Sequence, residues 1–339
     1  MATCTKYSCP SQSAPLTASP FPIHAPSPTQ VQVRIKAIAI NPADTKMIDH
    51  SHRGTTYPLI PGLDGAGIIS AVGSSVTSFK VGDEVLALFA PGDKGGSYQE
   101  YALVDEAKVA KKSGLSFEEA ASLGVSYFTA VMGLGIGLGM SLPFIPGTVG
   151  DGFVPKTVLV LGGSSALGAA SILLLRLAVP SCRILATGSK RHLGHITDYL
   201  GADVAIDRNS GSLVADIRAS TEGGKGIDAI IDTVGAGAED SSIFEVFESS
   251  GPKKYAQVWT GEDEIRVPEG VESVLFRSRD FGLLQGGTNI MQGLQTLLEK
   301  GQYKPPLPVR IVGTGINGLN QGLNLMRKGV SGEKLVVSL

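Results

Sequence analysis

The stretch VLVLGGSSALGAA, Val158 to Ala170, joins a β-prone apolar run to glycines and serines and then to the helical SILLLRLAV. That order suits a dinucleotide. A helix N-terminus presents unpaired N–H groups to a pyrophosphate, and glycine lets the backbone come close. The spacing of Gly162, Gly163 and Gly168 departs from GxGxxG, so a plain strand–turn–helix remains open on this stretch alone. After the next strand-like run the chain reads ATGSKRH, and no acidic residue appears from Arg183 until Asp198. NAD enzymes place a carboxylate there for the ribose hydroxyls. Lys190 and Arg191 would instead neutralise a 2′-phosphate, with Ser189 as a hydrogen-bond donor and Arg208 adding charge after the third strand. The alternative is that the basic residues merely solvate a helix start. Cations oppose the dipole at a helix N-terminus, so a bound phosphate supplies a reason for them. The reading favours NADPH over NADH.

These residues need elements to hold them. A chain of 339 residues exceeds what one core usually organises, which predicts two domains. With 42% hydrophobic and 18% charged residues and a net charge of -2, the composition is that of an ordinary globular protein. Nothing in it argues for nucleic acid or for an anionic membrane. Cys4, Cys9 and Cys182 form no ligand quartet or disulfide scaffold. Cys4 and Cys9 are expected at the surface, Cys182 in the core or as a surface filler, and the compartment is expected to be the reducing cytoplasm. The first thirty residues are rich in proline without the charge and apolar pattern of a secretory signal. The apolar stretch from Gly124 to Val149 is broken by Ser126, Thr129, glycines and prolines, and predicts a buried helix and loop.

VQVRIKAIAI, AGIISAVGS, VGDEVLALF and SYQEYALVDEAKVAKK follow one another closely as strand candidates through about residue 115. At Ser116 the pattern changes, with Glu119 three residues on in a capping box and helical apolar spacing after it. From Thr157 strand and helix alternate: VLVLGG, helix 165–178, RILATG, helix 191–200, DVAID, helix 211–220 and IDAIIDTVG. YAQVWT and DFGLLQ are further strand candidates, and helix NIMQGLQTLLEKG, strand VRIVGT, helix GLNQGLNLMRKG and strand KLVVSL close the chain.

NPAD, the block YPLIPGLDGAGIISAVGSSVTSFKVGDEV, AASLGVSYFTA, VLVLGGSSALG and SGEKLVVSL, in that order, resemble the medium-chain dehydrogenase/reductase superfamily from about residue 31 to the end. Within it the chain resembles the zinc-independent quinone and enoyl reductases, above all fungal polyketide trans-enoyl reductases. The resemblance implies an α/β architecture, a GroES-like β-rich catalytic domain plus a doubly wound parallel-sheet Rossmann domain, with the active site in the cleft between them. The expected layout is a proline-rich segment 1–30, a catalytic domain 31–125, a Rossmann domain 126–288 and a return to the catalytic domain over 289–339. The resemblance also places Ser164, Ser165, Ala166 and Leu167 along the pyrophosphate and Thr129 near the nicotinamide, although Thr129 could equally bond back into its own helix.

The zinc-dependent branch has a ligand cysteine where this chain reads INPAD and a His-Glu pair where it reads GLD, and its four-cysteine lobe is missing here. His50 and His52 alternate suitably for ligands but have no third partner. No metal site is expected. Conjugate reduction then suits the fold, with NADPH delivering hydride to the β-carbon of an enone or enoyl thioester while a donor holds the developing enolate oxygen. Lys46 matches a lysine that trans-enoyl reductases carry in this segment, and would hold the carbonyl oxygen or a phosphate-bearing carrier arm, unless it is a plain surface lysine. Asp44 would orient Lys46 or cap the turn after Pro42. Tyr57 and Tyr127 read as packing residues rather than proton donors. The expected partners are a small or carrier-bound enoyl substrate and a polyketide synthase. The alternatives are a non-redox biosynthetic catalyst or binding partner on the same fold, and a reductase of free quinones.

Overall fold

The computed structural model describes residues 2–51, 54–261 and 265–339; His52 lies outside them. The chain divides into two compact units, one formed by Met1–Val125 with Met291–Leu339 and the other by Ser126–Ile290.

The first unit begins with an antiparallel hairpin, β1 (Thr3–Ser8) and β2 (Thr17–Pro22). There follow β3 (Gln30–Ala39), α1 (Pro42–His50), β4 (Asp64–Val72), β5 (Glu84–Leu88), β6 (Tyr101–Asp105), β7 (Val109–Lys111) and α2 (Phe117–Ala121). α3 (Gly124–Met132) carries the chain into the second unit. β3 is the hub of a seven-stranded sheet, because its alternating VQVRIKAIA buries Val31, Val33, Ile35 and Ala37. The capping box forms as predicted, Ser116 Oγ accepting from Glu119 N at 3.1 Å and Glu119 Oε2 from Ser116 N at 2.9 Å.

The proline-rich start is folded into this unit. Tyr7 N donates to Tyr98 O at 2.9 Å, and Cys9 exchanges backbone hydrogen bonds with Leu59. Cys4 and Cys9 are buried, at 6% and 0% exposure, and not at the surface as expected. Their burial comes from a hairpin whose partners lie some fifty to ninety residues away, at Leu59, Tyr98 and Gln99, which local apolar spacing cannot announce.

In the second unit β8 (Thr157–Leu161), α4 (Ala166–Ala178), β9 (Arg183–Gly188), β10 (Val204–Asp207), α5 (Leu213–Ala219), β11 (Ala229–Asp232), α6 (Ala236–Glu239), β12 (Lys254–Val258) and β13 (Glu272–Phe276) build a six-stranded sheet. Its order is β10-β9-β8-β11-β12-β13 and every pair is parallel. This is the doubly wound order of a dinucleotide-binding fold, and it sets all six carboxyl ends along one edge. Val158, Leu159 and Val160 are completely buried on the central strand, which explains why β8 is apolar on both faces. YAQV of YAQVWT supplies most of β12, but DFGLLQ begins within a short 3₁₀ segment, Ser278–Leu283, and the strand is the preceding ESVLF. Asp280 and Gly282 are poor strand formers, and Leu283 is 79% exposed, so the apolar look of that run did not signify burial. The expected helix at 191–200 is a 3₁₀ turn, Lys190–His192, followed by a π turn, His195–Tyr199. The apolar segment Phe117–Gly137 is long enough to cross a membrane, yet 89% of its most apolar window is packed inside the protein.

The chain returns to the first unit through α7 (Ile290–Glu299), β14 (Val309–Thr314), α8 (Gly315–Arg327) and β15 (Lys334–Ser338). β15 adds antiparallel to β3, and Leu335, Val336 and Val337 are completely buried.

Candidate active site

At the carboxyl end of β8 the backbone makes a tight turn. Gly162 has φ +83, and a Cβ there would lie 2.5 Å from Val234 Cγ1. A Cβ on Gly168 would lie 2.2 Å from Gly162 O, so glycine is what allows α4 to start against the strand. Gly163 N donates to Thr187 O at 2.7 Å, tying the loop to β9. Ser165 is the N-cap of α4; its Oγ accepts from Gly168 N at 2.9 Å and pairs with Thr233 Oγ1 at 3.0 Å. Ala166 and Leu167 form the first turn of α4, and Ser164 is buried beside it at 6% exposure. Small residues, a helix N-terminus and hydroxyls thus surround one concave turn. Such a cradle suits a pyrophosphate, because a helix N-terminus offers backbone N–H groups, although the Ser165 N–H is already given to Gly162 O at 2.8 Å.

Farther along the same edge, Lys190, Arg191 and Arg208 are exposed. Arg208 N donates to Gly188 O at 2.9 Å, which sets the ends of β9 and β10 side by side. Arg191 Nε donates to His192 Nε2 at 3.1 Å. Ser189 is the N-cap of the turn, with no capping bond from its side chain. Thr129 is buried on α3, at 9% exposure.

In the first unit, Asp44 and Lys46 both lie on α1. Lys46 is half-buried, whereas Asp44 is completely buried and acts as a cap, Oδ2 accepting from Asn41 N at 2.8 Å. Tyr57 Oη donates to the Met47 and Ile48 carbonyls at 2.9 and 2.7 Å, a structural task at the end of α1. Tyr127 is completely buried. His50 is exposed, and no group of three or more His, Cys, Asp or Glu residues able to hold a metal occurs among the described residues.

Around Asp44 the structure assembles a buried polar cluster that sequence reading missed. Lys334 Nζ donates to Asn41 Oδ1 at 2.5 Å and lies 3.4 Å from Asp64 Oδ2. Asn41 Nδ2 donates to the same Asp64 oxygen at 3.0 Å, while Asp64 Oδ1 accepts from Val125 N at 2.7 Å. Asp64 therefore holds the start of α1 and the start of α3 at once. The only local sign was a charged residue inside each of two apolar runs, GLDGAGII and GEKLVVSL.

One ammonium thus serves two carboxyls. Burial, reinforced by the Asp64 charge and opposed by the Asn41 N–H and the Lys334 ammonium, pushes Asp44 up to about 7. Asp64 is also raised, chiefly by burial, against the pull of Lys334 and Asn41. Tyr98 Oη and Asp44 Oδ1 are both buried and make no hydrogen bond of good geometry among the described residues. Burial first, then the nearby Asp44 carboxyl acting as charge and as acceptor, hold the Tyr98 phenol well above its usual range, while Arg327 pulls the other way.

The sign of the pH effect follows. Between the ordinary 3.8 and about 7, the folded chain keeps a proton on Asp44 that the unfolded chain releases. That contribution to stability is complete below 3.8 and is lost as pH rises through about 7. Asp44→Asn should remove it, so the stability of the variant relative to the parent should rise from pH 5 to pH 7, by at most about 1.4 kcal/mol per pH unit. Urea unfolding at the two pH values checks this; a gap that does not change with pH would contradict it.

The geometry now has relatives. Residues 27–114 match the alcohol dehydrogenase GroES-like domain family. The trans-enoyl reductase pyiC of Pyricularia grisea is 31% identical over 347 residues, covering 94% of this chain and 89% of the relative. The dehydrogenase pigH of Monascus ruber is 29% identical, with 97% and 98% covered. Among solved structures, an alcohol dehydrogenase superfamily protein of Novosphingobium aromaticivorans superposes with a TM-score of 0.80 over 99% of both chains, at 24% identity, a likeness of fold. The chain belongs to the medium-chain dehydrogenase/reductase superfamily, whose fold implies a nicotinamide cofactor. Its curated relatives include several fungal trans-enoyl reductases, at about 30% identity over nearly the whole chain.

Proposed function

We propose that the protein is an NADPH-dependent reductase of the C=C bond of α,β-unsaturated carbonyl compounds, an enoyl reductase of polyketide-type fungal secondary metabolism. The observation that carries this reading is the glycine-and-serine cradle at Gly162–Gly168 with a basic exit from β9, in a chain similar throughout to trans-enoyl reductases. The substrate is a small or carrier-bound enoyl group, and a polyketide synthase is the partner that would present the carrier-bound form.

NADPH, when bound, supplies the hydride that reaches the β-carbon. Ser164, Ser165, Ala166 and Leu167 would line the pyrophosphate at the start of α4, and Ser189, Lys190, Arg191 and Arg208 would hold the 2′-phosphate by charge-assisted hydrogen bonds. Thr129 would lie near the nicotinamide. Lys46 donates to the carbonyl oxygen, so that negative charge growing there meets a fixed cation. Asp44 and Asn41 act through the backbone, holding the first turn of α1 so that Lys46 starts from a fixed helix. The α-carbon takes its proton from solvent or a side chain, which completes the saturated product.

Following NADPH absorbance with a panel of enones, enoyl thioesters and free quinones tests the reading. Turnover of the enoyl thioesters is expected. Turnover of free quinones alone would make the protein a quinone reductase, and tight NADPH binding with no turnover at all would favour a non-redox role.

A further inference from the structure

The carboxyl edge of the six-stranded sheet carries a second group of cations that the cofactor reading does not use. Trp259 follows β12 directly, and Arg277 and Arg279 follow β13. Both guanidinium carbons lie 4.9 Å from the centroid of the Trp259 ring. The backbone fixes this platform, since Trp259 N donates to Phe276 O at 3.0 Å.

Two like charges gathered at one indole repel each other, and a protein usually offsets such repulsion with a carboxylate. Here the ion pairs among the described residues leave both arginines out. Arg277 Nε is buried and has no hydrogen-bond partner among those residues, although a donor on a charged group is costly to bury unsatisfied. Arg279 is exposed, so the pair can be reached from solvent. Ring contacts orient the guanidinium planes while leaving their N–H edges to bind an oxyanion in a bidentate fashion.

Position separates this pair from the 2′-phosphate group. In the sheet order β9 stands three strands from β12 and four from β13. At about 4.8 Å per strand, Trp259 and the arginines lie about 14–19 Å along the edge from Lys190 and Arg191. A dinucleotide whose pyrophosphate sits at the end of β8, with its adenosine phosphate at β9, sends its reactive half toward β11 and β12. An oxyanion held at Arg277 and Arg279 therefore belongs to whatever meets that half.

The geometry points to Arg277 and Arg279, ordered on Trp259, as a second anion site that takes an oxyanion carried by the substrate, an inference resting on the reductase reading above. Two sources share this chemistry, the phosphodiester or phosphate of a carrier arm and a carboxylate on the substrate itself. The site would select acyl groups that arrive with a negative charge over neutral ones.

Trp259 is the only tryptophan of the chain, so its emission reports this site without any turnover. The full chain is titrated with pantetheine 4′-phosphate, with pantetheine and with adipate, each in the absence and presence of NADP⁺. A saturable change in emission is expected with pantetheine 4′-phosphate and not with pantetheine, and adipate separates the two sources. A response to the phosphate assigns the site to a carrier arm, and a response to adipate alone assigns it to a substrate carboxylate. In the double variant Arg277→Gln with Arg279→Gln, oxyanion affinity should fall roughly tenfold or more, as expected for losing charge-assisted bonds. NADP⁺ affinity should stay within about twofold, because its pyrophosphate and 2′-phosphate contacts lie at the ends of β8 and β9, and this also shows that the variant is folded.

The inference is overturned if neither oxyanion changes the emission, if the response survives in the double variant, or if NADP⁺ alone saturates it. Glu262, Asp263 and Glu264 follow Trp259 in the sequence and lie outside the described residues. A response seen only after Glu262→Gln, Asp263→Asn and Glu264→Gln together would mean that the chain's own carboxylates use the arginines, and would also overturn it. Absence of reductase turnover alongside a normal emission response would count against the function and not against the anion site.

Discussion

Replacing Lys46 with alanine is expected to lower kcat and kcat/KM together, by roughly two to three orders of magnitude for an enoyl thioester. The size follows from the stage at which the interaction acts. An ammonium beside a neutral carbonyl oxygen contributes little in the ground state and much more once hydride arrival places negative charge on that oxygen. A loss confined to the transition state lowers both parameters equally. Lys46 sits on a helix whose first turn is fixed by its own Asp44 and its N-cap Asn41, with Asp64 and Lys334 holding Asn41 from other elements, and whose end is pinned by the Arg327–Asp49 ion pair at 2.8 Å. A fixed helix limits the backbone reorganisation needed to present the ammonium, which favours a large effect. If Lys46 instead anchors a carrier phosphate, KM rises for the carrier-bound substrate and stays level for a truncated thioester. Unchanged kinetics on both substrates would remove Lys46 from the site.

The second large effect is on cofactor choice. Lys190→Ala with Arg191→Ala should weaken NADPH far more than NADH, by tenfold or more, given about 1.5–3 kcal/mol for each hydrogen bond to a charged group. Both side chains are exposed, on the turn that leaves β9, with Arg208 at the neighbouring strand end. The loss should shrink as salt is added, because exposed charges are screened. Comparing the affinities of the two cofactors in the parent and the double variant is the check. Equal losses for NADPH and NADH would mean that these residues do not read the 2′-phosphate.

Much of this architecture was legible from local pattern. Alternation in VQVRIKAIA, the Ser116–Glu119 capping box and the strand–turn–helix unit from Thr157 to Ala178 are short-range signals, and each became the element it suggested. Turns of irregular helix were less legible: Lys190–His192 and His195–Tyr199 keep helical composition but not α-helical bonding. What local pattern could not show was made by distance. Asn41 and Lys334 are 293 residues apart and hydrogen-bonded, and Lys156 N meets Asp228 Oδ2 across 72 residues. The N-terminal hairpin read only as a proline-rich segment, because its partners Leu59, Tyr98 and Gln99 lie far along the chain and its prolines break up the spacing. The glycine loop was the opposite case. Its spacing departed from the common fingerprint, yet the close approach of Gly168 to the Gly162 carbonyl is what such a loop requires.

The fate of the transferred hydrogen tests the central claim most directly. NADPH carrying deuterium at the transferable C4 position is incubated with the protein and an α,β-unsaturated thioester, and the product is examined by mass spectrometry and NMR. One deuterium at the β-carbon, a solvent-derived proton at the α-carbon and an intact carbonyl are predicted. Deuterium on the carbonyl carbon, with an alcohol as product, or no transfer to any unsaturated carbonyl from an enzyme that binds NADPH, would contradict the account.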